Sequence, residues 1–128
     1  MAEDRLVFNL DTSPASPRLA RAAVRDYSAE HGLDGPVVDA ALLITSELVS
    51  NAVMHGRAPI TVCLEQRGDT ALRVEVCDGD DAIDPVDGVR SGALTTSGRG
   101  LAIVTEFATD WHVERRADGK SVVADIET

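Results

Sequence analysis

The stretch Glu47-Leu48-Val49-Ser50-Asn51-Ala52-Val53-Met54-His55-Gly56 governs the reading of the whole chain. It closes an apolar run from Val37 to Met54 that contains no Gly or Pro, a pattern that predicts a largely buried helix. At about 100° of rotation per residue, the strongest apolar arc holds Val38, Ala41, Leu42, Val49, Ala52 and Val53, with Thr45 inside it. Glu47, Asn51 and His55 stack on the opposite side at i, i+4, i+8, bordered by Leu43, Ile44, Leu48 and Met54. An acid and an amide among apolar neighbours need partners, because burying them unpaired is costly. Two readings follow: a solvated stripe on an amphipathic helix, or a site whose ligand supplies the partner.

Working outward, Asp34-Gly35-Pro36 opens this helix, and Gly56 with Pro59 ends it. Upstream, Arg5 to Leu10 reads as a strand with Leu6, Phe8 and Leu10 on one face. Ser16 and Pro17 read as N-cap and first residue of another helix. Its apolar face is Leu19, Ala20, Ala23, Val24 and Tyr27, and Gly32 stops it.

Downstream, Ile60 to Arg67 and Thr70 to Asp78 form a predicted hairpin around Gly68-Asp69. Ile60, Val62 and Leu64 must share a face with Leu72, Val74 and Val76. Pairing 64 with 72, 62 with 74 and 60 with 76 achieves this. The register sets Cys63 opposite Arg73 and leaves Cys77 four residues further, roughly 13 Å away. A disulfide needs Cα atoms within about 7 Å, so two free thiols are expected. They also lack the paired spacing of a zinc site. The same parity puts Asp78 on the core face, although strand-end aspartates also cap turns.

From Gly79 to Ser97 no periodicity survives, and a structureless stretch this long in a compact domain is usually functional or disordered. Its aspartates do not fit a calcium loop, since Ile83 and Ala82 stand where glycine and an oxygen ligand are needed. Gly98-Arg99-Gly100-Leu101 then opens a helix running to about Ala108. Such a glycine pair lets backbone N–H groups approach an anion. It is neither a dinucleotide fingerprint nor a P-loop. Asp110 to Arg116 and Lys120 to Glu127 form a closing hairpin with Val122, Ala124 and Ile126 on one face.

The 128 residues suit one domain. A net charge of −10 argues against direct nucleic-acid binding and permits a basic protein partner, or a metal that offsets a bound polyanion. The start, Met1-Ala2-Glu3-Asp4-Arg5, lacks the basic opening of a signal peptide. No apolar run reaches the ~18–20 residues of a membrane span without polar interruption. The expectation is a cytoplasmic protein with no membrane partner. Strands fall in neighbouring pairs, so the expected fold is an α+β two-layer sandwich: a mixed, mainly antiparallel sheet with helices on one face.

A helical Glu-x-x-x-Asn, an Asp ending a buried strand and a Gly-x-Gly after a long loop occur here in one order. Together they resemble the Bergerat ATP-binding fold of the GHKL superfamily, which includes gyrase, Hsp90, histidine kinases and MutL. The likeness is greatest to the small single-domain anti-sigma-factor serine/threonine kinases and related regulatory ATP-binding proteins. Glu47 to Gly56 resembles their helical Asn-box, Val76-Cys77-Asp78-Gly79 their first glycine box, and Gly98 to Val104 their second. Asp110-Trp111 and Gly119-Lys120 resemble the closing hairpin, so the match runs from about Arg5 to Glu127 within a single domain of residues 1–128. One departure is Asp80-Asp81, where the family commonly continues with glycine.

The resemblance implies roles. Asn51 would coordinate the Mg²⁺ that bridges the ATP phosphates. Glu47 would orient or deprotonate the attacking hydroxyl. Asp78, beside Gly79, would accept a hydrogen bond from the adenine amino group. Gly98, Arg99, Gly100 and Leu101 would lie at the phosphates beneath an ATP lid of about 79–97. A sigma factor, an anti-anti-sigma (STAS-type) partner and homodimerisation are implied with it. Two rivals stand beside it. One is a regulatory binding module that binds ATP weakly or not at all and acts by protein contact. The other is a phosphoacceptor-dependent kinase fragment, disfavoured because no helix carrying a phosphoacceptor His precedes the domain. For His31, His55 and His112 a structural role fits better than metal binding.

Overall fold

In the computed structural model, which describes residues 5–55, 59–79, 98–116 and 119–128, five strands and three helices follow one another in the expected order. They are β1 (Leu6–Leu10), α1 (Ser16–Glu30), α2 (Pro36–His55), β2 (Ile60–Gly68), β3 (Ala71–Asp78), α3 (Gly98–Phe107), β4 (Asp110–Arg116) and β5 (Gly119–Glu127). The sheet order is β1-β2-β3-β5-β4, and every pairing among the described residues is antiparallel. Helices pack on one face, so the α+β two-layer expectation holds, with no parallel pair in evidence among the described strands.

α1 departs from its expected start. Ala15, not Ser16, precedes the helix, and it offers no side-chain cap. Ser16 is buried and its Oγ donates to the Asp11 carbonyl at 2.6 Å, tying the turn back on itself. Ala20, Val24 and Tyr27 are buried as expected, whereas Leu19 is 54% exposed, because it lies at the rim of the α1 face. The C-terminus is a Schellman cap: Gly32 has φ +70°, Leu33 N–H donates to Ser28 O, and Gly32 N–H to Ala29 O.

α2 is the core helix. Its buried residues are Val37, Ala41, Ile44, Thr45, Leu48, Val49 and Ala52. The expected arc is thus rotated: Ile44 and Leu48 move in, while Val38, Leu42 and Val53 are only partly buried. The helix packs against α1, α3 and the sheet together, so no single sharp face is needed. By length and composition Pro36–Met54 would pass for a membrane span, yet here it is a core helix that carries Glu47 and Asn51.

The hairpin differs from expectation by two positions. Val62 pairs with Val76, Leu64 with Val74 and Gln66 with Leu72, and Gly68 then pairs with Ala71. The turn is Asp69-Thr70, and a bulge between Gln66 and Gly68 restores the parity that so short a turn would reverse. Tyr27 Oη accepts the Gln66 N–H at 2.7 Å, so α1 supplies the partner that the bulge needs. The shared apolar face survives: Ile60, Val62, Leu64, Leu72, Val74 and Val76 are all buried. Cys63 consequently lies opposite Glu75 instead of Arg73, and Arg73 turns to Asp125 on β5 at 2.7 Å. Neither cysteine is in a disulfide, as expected, although the observed register sets them closer together than the expected one. Burial, ahead of the nearby Glu75 and Glu65, pushes the Cys63 thiol pKa up against the opposing effect of Arg5.

Candidate functional site

Glu47 and Asn51 sit one turn apart on α2, both half-buried, while Ile44, Leu48, Val49 and Ala52 fasten the helix to the core. Ser46, beside Glu47, accepts a 2.7 Å hydrogen bond from Arg21 Nη1, which ties α1 to this turn of α2. His55 ends the helix, and its side chain lies outside the described residues.

Asp78 continues the core stripe of Leu72, Val74 and Val76, and its side chain is only 9% exposed. Directly across the β3–β5 ladder stands Lys120. Its Nζ donates to both carboxylate oxygens, at 3.2 and 3.4 Å, and its side chain is 13% exposed. Lys120 is the residue that sequence reasoning missed. The signal was present: Val122, Ala124 and Ile126 set the core parity of β5, and Lys120 falls on it. Gly119 next to it has φ +151°, and a Cβ there would overlap the Asp78 carbonyl oxygen and come within 2.9 Å of Gly79 Cα. The strand end therefore approaches Asp78 and Gly79 as bare backbone.

Asp78 and Lys120 meet at one end of the sheet. Thr61 pairs with Cys77, so the start of β2 lies level with the end of β3. α3 packs along α2, and its C-terminus is held at the opposite end, where Thr109 N–H donates to Asp125 O. Gly98–Leu101 form the first turn of α3, whose ten residues span about 15 Å of helical rise. The Arg99 and Leu101 side chains, and the expected lid apart from Gly79, lie outside the described residues.

The described histidines have structural work. His31 stacks on Tyr27 with ring centroids 3.9 Å apart, and His112 Nε2 lies 3.0 Å from Glu114 Oε2. Among the described residues, no three His, Cys, Asp or Glu side chains gather as a metal cage.

The described parts of the candidate site are thus a half-buried acid and amide on the core helix and a buried carboxylate at the end of β3, on a five-stranded antiparallel sheet with helices on one face. Residues 10–126 match the family model for the histidine kinase-like ATPase domain, and the chain belongs to that family. It is similar to the crystal structure of the RsbU and RsbW domains of Rv1364c from Mycobacterium tuberculosis. That likeness has 25% identity and a TM-score of 0.71, over 96% of this chain and 32% of the other. It is also similar in fold to the histidine kinase domain of the blue-light activated histidine kinase from Erythrobacter litoralis EL346. There the identity is 20% and the TM-score 0.57, over 84% of this chain and 60% of the other. The chain thus spans less than two thirds of either matched chain.

Proposed function

We propose that this protein is a cytoplasmic, Mg-ATP-dependent serine/threonine kinase of the anti-sigma type. It holds a sigma factor inactive and phosphorylates a small STAS-type anti-anti-sigma partner. The observation that carries this reading is the stacking of Glu47 one turn before Asn51 on the core helix, together with the buried carboxylate of Asp78 at the end of β3. The likeness to a chain with an RsbW domain supports it.

The residues present fit the groups they would hold. Magnesium is a hard cation that takes oxygen ligands and keeps several waters. The Asn51 amide oxygen suits it, with the rest of its shell from phosphate and water. When bound, the ion neutralises phosphate charge, which phosphoryl transfer needs more than covalent chemistry. Asp78 is a pure acceptor when ionised and suits an exocyclic amino group. Glu47 orients the partner's hydroxyl or takes its proton, and Asn51 holds the metal side of the nucleotide.

The test is phosphotransfer from radiolabelled ATP to STAS-type partners encoded nearby, with wild type and Asn51→Ala. Transfer by wild type and none by Asn51→Ala is the expected result. A wild type that binds its partners but transfers no phosphate defeats the kinase reading and leaves a binding module acting by contact.

A further inference from the structure

We propose that Lys120 is a base-specificity residue, its ammonium donating to the ring-nitrogen acceptor beside the amino group of adenine. This rests on the reading of Asp78 as acceptor for that amino group. The observation is the Lys120–Asp78 pair itself, 3.2 Å across the β3–β5 ladder. An ionised carboxylate only accepts, with about four lone-pair sites, and an ammonium only donates. One carboxylate can therefore serve both the lysine and an amino group. Side by side, the two residues present an acceptor next to a donor along one ligand edge.

Adenine offers the complement in the same order: the exocyclic amino donor, then the N1 acceptor. Guanine and hypoxanthine offer an oxygen acceptor, then an N1–H donor, so like meets like unless the base slides along its edge. The order cannot invert by side-chain rotation alone, because Asp78 and Lys120 are fixed opposite each other by strand register. Gly119 matters here too, since only bare backbone lets β5 bring Lys120 this close to the end of β3. Both side chains are mostly withdrawn from water, where a satisfied hydrogen bond gains weight and an unsatisfied one is costly.

The test uses calorimetric titration of the full chain with ATP, 1-deaza-ATP, which lacks the N1 acceptor, and 7-deaza-ATP, which retains it. Wild type is expected to bind 1-deaza-ATP about tenfold more weakly than ATP, with 7-deaza-ATP within about twofold of ATP. In Lys120→Met the preference for ATP over 1-deaza-ATP should shrink to about twofold or less, whereas Lys120→Arg, which keeps a donor, should retain part of it. The wild-type comparison stands even if a variant fails to fold. Equal wild-type affinity for ATP and 1-deaza-ATP overturns the inference, as does an equal loss with 7-deaza-ATP or an undiminished preference in Lys120→Met. Those outcomes leave the nucleotide site standing. Wild type that binds none of the three overturns the site and this inference together.

Discussion

Replacing Gly119 by alanine tests how tightly the base end of the site is built. The residue sits at φ +151°, a region that costs a side-chain-bearing residue on the order of 1–3 kcal/mol. The new Cβ also overlaps the Asp78 carbonyl oxygen and lies 2.9 Å from Asp78 C and from Gly79 Cα. All three are backbone atoms, so no side chain can swing aside, and β5 must move off β3. Strain and displacement together give roughly 3–5 kcal/mol, in the range of the most damaging single substitutions. At ~2.1 cal/mol/K per residue, 128 residues give about 0.27 kcal/mol/K, which converts this to a Tm drop of about 11–18 °C. Gly32→Ala is the control: its φ is +70° and nothing lies within 4 Å of the added Cβ. Backbone strain alone there should cost about 1–2 kcal/mol, or some 4–7 °C. Calorimetric melts of both variants, with ATP titrations on each, make the comparison. Gly119→Ala should also weaken ATP binding by about tenfold or more, since Asp78 and Lys120 shift with the strand. If Gly119→Ala melts no lower than Gly32→Ala and binds ATP as wild type does, the close approach of β5 to Asp78 is not what holds this site.

Glu47→Ala should bind Mg-ATP within about a factor of three of wild type yet lose phosphotransfer by 10²–10⁴-fold, because its work lies in the transition state; an equal loss of affinity in titration would assign Glu47 to ground-state binding instead. Tyr27→Phe removes the acceptor of the Gln66 N–H at the β2 bulge and should cost about 1–3 kcal/mol by urea unfolding, with an unchanged midpoint refuting the role given to that contact. Thr45→Val should leave stability unchanged or raise it by up to about 1 kcal/mol, since Thr45 Oγ1 is buried with no hydrogen-bond partner among the described residues; a clear loss in thermal melts would reveal a partner for that hydroxyl.

Sequence alone went far with local patterns. Parity along β2, β3 and β5 assigned their core faces, and glycine and proline punctuation placed the helices and strands. Residue order on α2 stacked Glu47 on Asn51, and core parity placed Asp78 at the end of its strand. Each depends on a period of 2.0 or 3.6 that a linear pattern carries. What parity could not give was which partner stands opposite. A register shift of two leaves every face unchanged, so the pairing of Cys63 with Glu75 and the freeing of Arg73 for Asp125 required the bulge. That bulge is supported from α1 by Tyr27, 39 positions away in sequence. The buried side of α2 was likewise undecided by periodicity, because a helix covered by α1, α3 and the sheet can be apolar nearly all round. The Lys120–Asp78 pair bridges 42 positions and exists only because β5 lies beside β3. Local periodicity depends on backbone geometry within one element and is written in the order of residues. Contacts between elements depend on which strand neighbours which, and tertiary packing alone decides that.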